Sequence, residues 1–306
     1  ISASTSVLLT DGNYEYGSGL RRTNNDLKQV NAGIDIFGKM EGGGWHTKMY
    51  VNGSRRGAPG STSWPSEDRQ NDKNAFAQGT LSKKFSDIYT LNVSSKAAYD
   101  NLFYKSVWGD SEYTQKEYQL NSSHNFRIRE WWDLSFAADG RWDELGSTGY
   151  RATRYGAVST LTSVFRLDRL KADISVEYEG TFDKGASSHS SLSPAADIRY
   201  TLSEGLEISA FGRRAYRTPT FNELYYPNYG NPDLKPEDAW LTDIGLEWHK
   251  KSGRWQTNAK LDGFYNYLTD KITSAPSAAN PYLWLPYNIG TVKAAGIDAT
   301  AGIAYS

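Results

Sequence analysis

Lys171–Glu179 reads KADISVEYE, and its period decides the fold. Ala172, Ile174, Val176 and Tyr178 fall on one side of an extended chain, and Lys171, Asp173, Ser175, Glu177 and Glu179 fall on the other, because successive strand side chains point to opposite faces. Such a strand lies between an apolar and a polar environment. The division returns at 255–267, where Trp255, Thr257, Ala259, Leu261, Tyr265 and Tyr267 oppose Gln256, Asn258, Lys260, Asp262 and Asn266. Segments 28–38, 44–53, 87–99, 131–142, 238–249 and 294–305 repeat it, several with more small residues. These runs are about 10–14 residues long, roughly twice the mean strand of soluble proteins and close to the 9–11 or more of tilted membrane strands. Length therefore favours a membrane barrel over a sandwich.

Composition points the same way. The 306 residues hold 21 Tyr and 10 Trp, yet the mean hydropathy is −0.64. A polar average with a heavy aromatic load fits a barrel whose lumen is polar and whose Tyr and Trp collect at the two membrane interfaces. Net charge is −1, which gives no electrostatic reason to expect a nucleic-acid partner. Cysteine is absent, so disulfides, thiolate metal sites and cysteine nucleophiles are excluded together. No apolar run approaches the roughly 18 residues a membrane helix needs, which leaves strands as the only spanning element.

Connections alternate in kind. Short turns are expected at 39–44, 84–87, 127–130, 166–169, 202–205 and 250–253, and long polar loops at 11–26, 53–74, 100–113, 143–151, 181–191, 214–236 and 269–285. Short turns on one rim and long loops on the other is the arrangement of outer-membrane barrels. Trp45, Phe85, Tyr89, Phe126, Trp131, Trp132, Phe165, Trp248 and Trp255 flank the short turns and are expected to form the periplasmic girdle. The fold class expected is all-β, an antiparallel transmembrane β-barrel. About 14 of the roughly 22 strands of a plugged outer-membrane transporter are counted. Ile1 and Ser306 both fall in strand-like sequence, so residues 1–306 are read as an interior part of the barrel domain, with the N-terminal plug and terminal strands outside this chain.

One stretch breaks the alternation, Arg217–Glu237, RTPTFNELYYPNYGNPDLKPE. Pro219, Pro227, Pro232 and Pro236 remove donors and fix φ, so it cannot be a central strand. Gly230 is expected to supply positive φ, and Asn231 to be extended by the proline after it. The order Arg217-x-Pro219-x-x-Asn222-Glu223-Leu224-Tyr225, then Gly230-Asn231-Pro232-x-Leu234-x-Pro236-Glu237, resembles the loop-and-strand signature of TonB-dependent outer-membrane receptors, most closely the cobalamin receptor type. Lys293-x-x-Gly296-Ile297-Asp298-Ala299 is similar to the strand that follows it, and Arg56-Gly57-x-Pro59-Gly60 with Trp64-Pro65 to an extracellular loop of that type.

The resemblance implies active import of a scarce, bulky ligand at the bacterial outer membrane, with cobalamin or another corrinoid first. Siderophore, haem, glycan or peptide is the alternative ligand, and a passive porin or a soluble carbohydrate-binding module the alternative class. It implies no chemistry in the barrel, a TonB complex acting through the plug, contact with outer-membrane lipid, and a surface lipoprotein as a further partner. Ligand contacts are expected at Trp64, Tyr225, Tyr226, Tyr229, Tyr282 and Trp284, where amphipathic rings give contact area at little entropic cost; loop packing or an aromatic girdle is the other use of such rings. No other cofactor is expected, but the resemblance allows calcium at Asp26, Glu67, Asp68 and Asp72, since calcium takes six to eight oxygens. Solvated loop charges are the alternative there. No nucleophile elbow, phosphate loop or zinc spacing occurs, and His46, His124, His189 and His249 are scattered, so an enzyme is not expected.

Overall fold

The computed structural model describes residues 1–17, 19–184 and 188–305. β1 (Ser2–Thr10) is followed by two short strands, β2 (Glu15–Tyr16) and β3 (Leu20–Arg21), and then by β4 (Leu27–Met40), β5 (Gly43–Gly60), β6 (Pro65–Lys84) and β7 (Tyr89–Lys105). β8 (Ser111–Arg129), β9 (Trp132–Ser147), β10 (Arg151–Arg166), β11 (Leu170–Asp183), β12 (His189–Ser203) and β13 (Leu206–Arg217) continue the series. The helix α1 (Phe221–Tyr225) precedes β14 (Glu237–Ser252), β15 (Trp255–Pro276) and β16 (Trp284–Tyr305). Apart from the β2–β3 pair, all of them form a single 14-stranded antiparallel sheet in which each strand pairs with the next. Residues of β6–β11 and of β13 line one cavity, so the sheet curls about its polar face.

The alternation read from the sequence is the alternation of faces. On β11, Ile174, Val176 and Tyr178 stand exposed on the outer face, while Ser175, Glu177 and Glu179 are half-buried on the inner one. Leu161 on β10 and Leu261 on β15 are likewise about half exposed, at 45 % and 49 %. For a chain dissolved in water such exposure wastes hydrophobic surface; for one in lipid it is the solvated side. The buried apolar core is correspondingly small and lies at one rim, where Leu224, Leu234 and Ile272 meet. Rings gather at the short-turn rim as expected: Trp131, Trp132 and Phe165 stack on one another, as do Phe85, Tyr89 and Phe126 around Tyr89.

The short turns fall where the sequence places them. Gly205 turns β12 into β13 at φ 76, and a Cβ there would meet the His249 carbonyl oxygen at 2.1 Å, so only glycine fits. The long loops are corrected. The connection between β5 and β6 is residues 61–64, that between β9 and β10 is 148–150, and that between β15 and β16 is 277–283. Arg55 pairs with Asn71 and Lys73 with Asn101 in register, far above the apolar band. Polar side chains end the apolar band without ending the backbone ladder, so strands of up to 22 residues project beyond the membrane. Of the long connections expected, only 11–26 and the segment between β13 and β14 keep their length, and the latter begins at 218 rather than 214.

A charge on the outer face tests this arrangement. Leu161→Arg is expected to destabilise the folded protein by about 2–4 kcal/mol in lipid, and Thr162→Arg, one residue on and facing the lumen, by much less; urea titrations of the two variants in vesicles make the comparison.

Candidate functional site

Residues 218–236 fold back over the concave side of the sheet as an ordered strap. Thr220 caps α1 in both directions: its hydroxyl accepts from the Glu223 amide, and the Glu223 carboxylate accepts from the Thr220 amide at 2.7 Å. Pro219 and Pro286 are fully buried, and Leu224, Leu234 and Ile272 form the apolar seat. The left-handed residue is Asn228, at φ 60, rather than Gly230. Asparagine tolerates that conformation. Gly230 is required for another reason: a Cβ there would lie 2.6 Å from the Leu224 carbonyl oxygen.

Arg217 organises the strap. Its guanidinium donates to Glu223 at 3.0 Å and to Glu237 at 2.8 Å, tying the helix to the first residue of β14. Glu237 in turn accepts from the Ile272 amide at 2.8 Å. Asn231 donates to the Pro286 carbonyl, Asn288 exchanges hydrogen bonds with the Lys235 backbone, and the Tyr229 and Ser274 hydroxyls lie 2.7 Å apart. These contacts fix one end of the strap to β15 and β16. At the other end, Asn222 accepts from Tyr150, Arg154 stacks 4.8 Å over the Phe221 ring, and Pro227 packs on Gly149. The strap therefore joins walls that are several strands apart.

Beneath it lies a cavity of about 860 Å³, bounded by Phe221 and Asn222 above and by the inner faces of β6–β11 at the sides. Asp143 and Arg154, which line it, belong to a row of directly opposed charges: Glu117 on β8 faces Asp143 on β9, Asp143 faces Arg154 on β10, and Arg154 faces Asp183 on β11. Arg154 holds Asp183 through two parallel bonds of 2.5 and 2.6 Å, the bidentate geometry that suits a planar guanidinium. Arg141, one pair further along, reaches Asp143 at 2.5 Å and Glu117 at 3.6 Å.

The aromatic candidates divide into two groups. Tyr225, Tyr226 and Tyr229 sit together on the strap, Tyr225 beside Phe221 and Tyr150, and Tyr226 beside Tyr229. Trp64, at the β5–β6 tip, is 81 % exposed, and Tyr282 and Trp284, together at the β15–β16 tip, are 94 % and 54 % exposed. None of the six lines the cavity; Phe221 and Tyr216 are the rings that do. The sequence reading missed Arg141, Asp143 and Arg154, whose signal was the inward parity of β9 and β10. It had already put Glu179 on the polar face.

The acidic candidates do not converge. Asp26 has both oxygens on Arg69, at 2.9 and 2.6 Å, and that hydrogen-bonded guanidinium holds its carboxyl below the usual carboxylate range. Asp68 accepts from Tyr104, Asp72 from Ser54 and Gln70, and Glu67 is exposed. Among the described residues no three His, Cys, Asp or Glu side chains come together as a metal set. One buried Asp68 oxygen lacks a protein donor, far short of the six to eight oxygens calcium takes. As arranged, these residues do not fit the ion.

Comparison with known proteins bears on what this arrangement serves. The family model described as TonB dependent receptor-like, beta-barrel, matches residues 3–306. A vitamin B12 transporter BtuB of Photobacterium profundum is 25% identical over 240 residues, covering 72% of this chain and 38% of that protein. The haemophore receptor HasR of Serratia marcescens, solved with its haemophore and haem, superposes with a TM-score of 0.77 at 12% identity over 98% of this chain and 56% of its own. The FrpB iron transporter of Neisseria meningitidis gives 0.74 at 14% identity, over 99% and 55%. The chain thus spans about half the length of these structures and less of the curated relative.

The strap predicts its own acid sensitivity. Burial pushes the Glu223 carboxyl up, but Arg217 and the Thr220 amide and hydroxyl outweigh it and hold the folded value below the ordinary one. A lowered folded pKa means stability that is complete above the ordinary glutamate value and lost as pH falls through the folded one. Amide protection over 220–226 is expected to hold from pH 7 to about 4.5, near the ordinary glutamate value, and to fall below it. At neutral pH, Arg217→Ala is expected to cost the strap about 1–2 kcal/mol locally, a 5- to 30-fold loss of protection, with the sheet unaffected. Hydrogen exchange read by mass spectrometry checks both.

Proposed function

We propose that the whole receptor imports a corrinoid, on the premise that this chain belongs to the TonB dependent receptor-like β-barrel family, whose members are bacterial outer-membrane barrels. The observation that carries the ligand is the 240-residue similarity to a vitamin B12 transporter. The likeness to the haem and iron receptors supports the barrel and not their ligands, since identity there is 12–14%. Haem or a ferric siderophore is the second reading.

In this reading the barrel performs no covalent chemistry. Ligand arrives from outside, meets the rings on the strap, and enters the cavity below it. A plug domain elsewhere in the receptor closes the passage, and a TonB complex driven from the inner membrane opens it. The paired arginines Arg154 and Arg217 keep the vestibule and strap in one geometry, so binding does not have to order them first. Trp64, Tyr282 and Trp284, exposed at the tips, are the residues we assign to a surface lipoprotein that delivers ligand, because large exposed rings mark protein contact sites.

Calorimetric titration of cyanocobalamin into the intact, detergent-solubilised receptor is expected to show tight, saturable binding. Chelating calcium is expected to change the affinity by less than about twofold, as the Asp26–Arg69 pair leaves no ion site there. No heat with cyanocobalamin, but saturable binding of haem or a ferric chelate, would overturn the corrinoid reading and leave the family standing. Joint Trp64→Ala and Tyr282→Ala replacement is expected to leave that affinity unchanged and to weaken capture of the lipoprotein.

A further inference from the structure

The outer face of β4–β7 changes character at one level. On β6 the outward side chains between Lys83 and Lys73 are Leu81, Ala77 and Ala75, with Gly79 between them, and none is charged. Those ten residues, at about 3.3 Å each and tilted by about 40°, rise about 25 Å, the height of an outer-membrane apolar band. Lys73 therefore stands where hydrocarbon ends, on the side away from the short turns, which is the extracellular side of such barrels. Val30 on β4 and Val51 on β5, both about half exposed, are the last apolar residues of the outer face there, and the exposed Tyr99 on β7 marks the same border. The first outward charges beyond them are Lys28 and Arg55.

These three cations stand together. Lys28 and Arg55 are directly opposed in the register, and Lys73 is the diagonal neighbour of Arg55, two residues along from its partner Asn71. All three are exposed, and none has a carboxylate within 4.0 Å among the described residues. Like charges set opposite one another destabilise a strand pair. The acids on this side of β4–β9 are engaged elsewhere or lie further out: both Asp26 oxygens accept from Arg69, Glu112 accepts from Asn101, and Glu144 from Lys116, while Glu67 is two residues beyond Arg69 toward the hairpin tip. Lys105, opposite Arg69, adds a further unpaired cation above the three.

The position says what neutralises them. Lysine and arginine stems lie along apolar surface while their heads reach the polar layer, and a phosphate offers several oxygens to such heads. Cations clustered at a membrane border attract anionic head groups. β1 and β16 carry the free edges of the sheet, so further strands of the receptor would extend it there and a plug would fill its inner side. Neither covers the outer face of β4–β7.

We propose that Lys28, Arg55 and Lys73 form a binding site on the lipid-facing side of the barrel for the phosphate of an outer-leaflet glycolipid head group. The site rests on the outer-membrane barrel and not on the corrinoid reading. It anchors one lipid against β4–β7 and supplies the charge that the opposed cations lack.

The test uses the full-length receptor in detergent with EDTA, so that no divalent ion bridges phosphates, and native mass spectrometry to read bound lipid. Diphosphoryl lipid A is expected to bind at least tenfold more tightly than lipid A stripped of its phosphates. Joint Lys28→Gln, Arg55→Gln and Lys73→Gln replacement is expected to reduce that preference to about twofold or less and to leave cyanocobalamin titrations as they are in the wild type. Removing the same charge at the other rim, with Lys250→Gln, Lys251→Gln and Arg254→Gln, is expected to leave the preference intact. Heat-modified gel mobility shows whether the variants are folded; if the triple variant is not, the three single variants are each expected to lower the preference by about threefold. Equal binding of the two lipids overturns the proposal, as does a preference that the folded variants keep or that the control variant loses equally. Displacement of lipid A by 10 mM inorganic phosphate would make this a site for the free ion and overturn the lipid assignment. A triple variant that changes the oligomeric state in sedimentation, without changing the lipid preference, would make the face a contact between copies and overturn it too.

Discussion

Every feature of this chain depends on the backbone ladder. In hydrocarbon an unpaired N–H or C=O has no water to turn to, so a chain without spanning helices must cross as paired strands. The 14 strands meet that requirement by pairing each with its sequence neighbour, which needs only hairpins. Lipid on one side then pins the register, because a one-residue slip would move Ile174, Val176 and Tyr178 into the lumen and Glu177 and Glu179 into lipid. The inner wall inherits its chemistry from that register. Glu117, Asp143, Arg154 and Asp183 form a row because the ladder sets them opposite one another.

The same ladder explains the vestibule. Strands that continue past the apolar band carry polar side chains on both faces, and their walls are stiff enough to hold a strap between them. The strap has little apolar core of its own, so its position depends on polar anchors: Arg217 with two carboxylates, Asn231 and Asn288 on backbone groups, and one seat of Leu224, Leu234 and Ile272. Such a device is local. Its opening costs the contacts named and not the sheet, as expected where a fold opens in units of unequal stability.

Strand existence, face assignment and the short turns were legible in the sequence because each is encoded locally: period two in Lys171–Glu179 and in 255–267, and glycine at the Gly205 turn. The strap was legible as well, from four prolines and the spacing Arg217 to Glu237. The lengths of the outer loops were not. Composition reports where lipid ends, whereas pairing reports where the ladder ends, and Arg55 opposite Asn71 shows that the two differ.

The sequence by itself determined the class of fold, the side of each strand that meets lipid, and the family resemblance carried by the strap. Tertiary structure alone decided which side chains meet. In the sequence Tyr282 and Trp284 are aromatic loop residues much as Phe221 is, and Asp26 is an acid much as Asp143 is. What separates them is which residues the curl of the sheet brings together. Arg69 closes on Asp26 from 43 residues away, while Arg141 satisfies only half of Asp143. Those pairings are set by cross-strand neighbours far apart in the chain, and no local period records them.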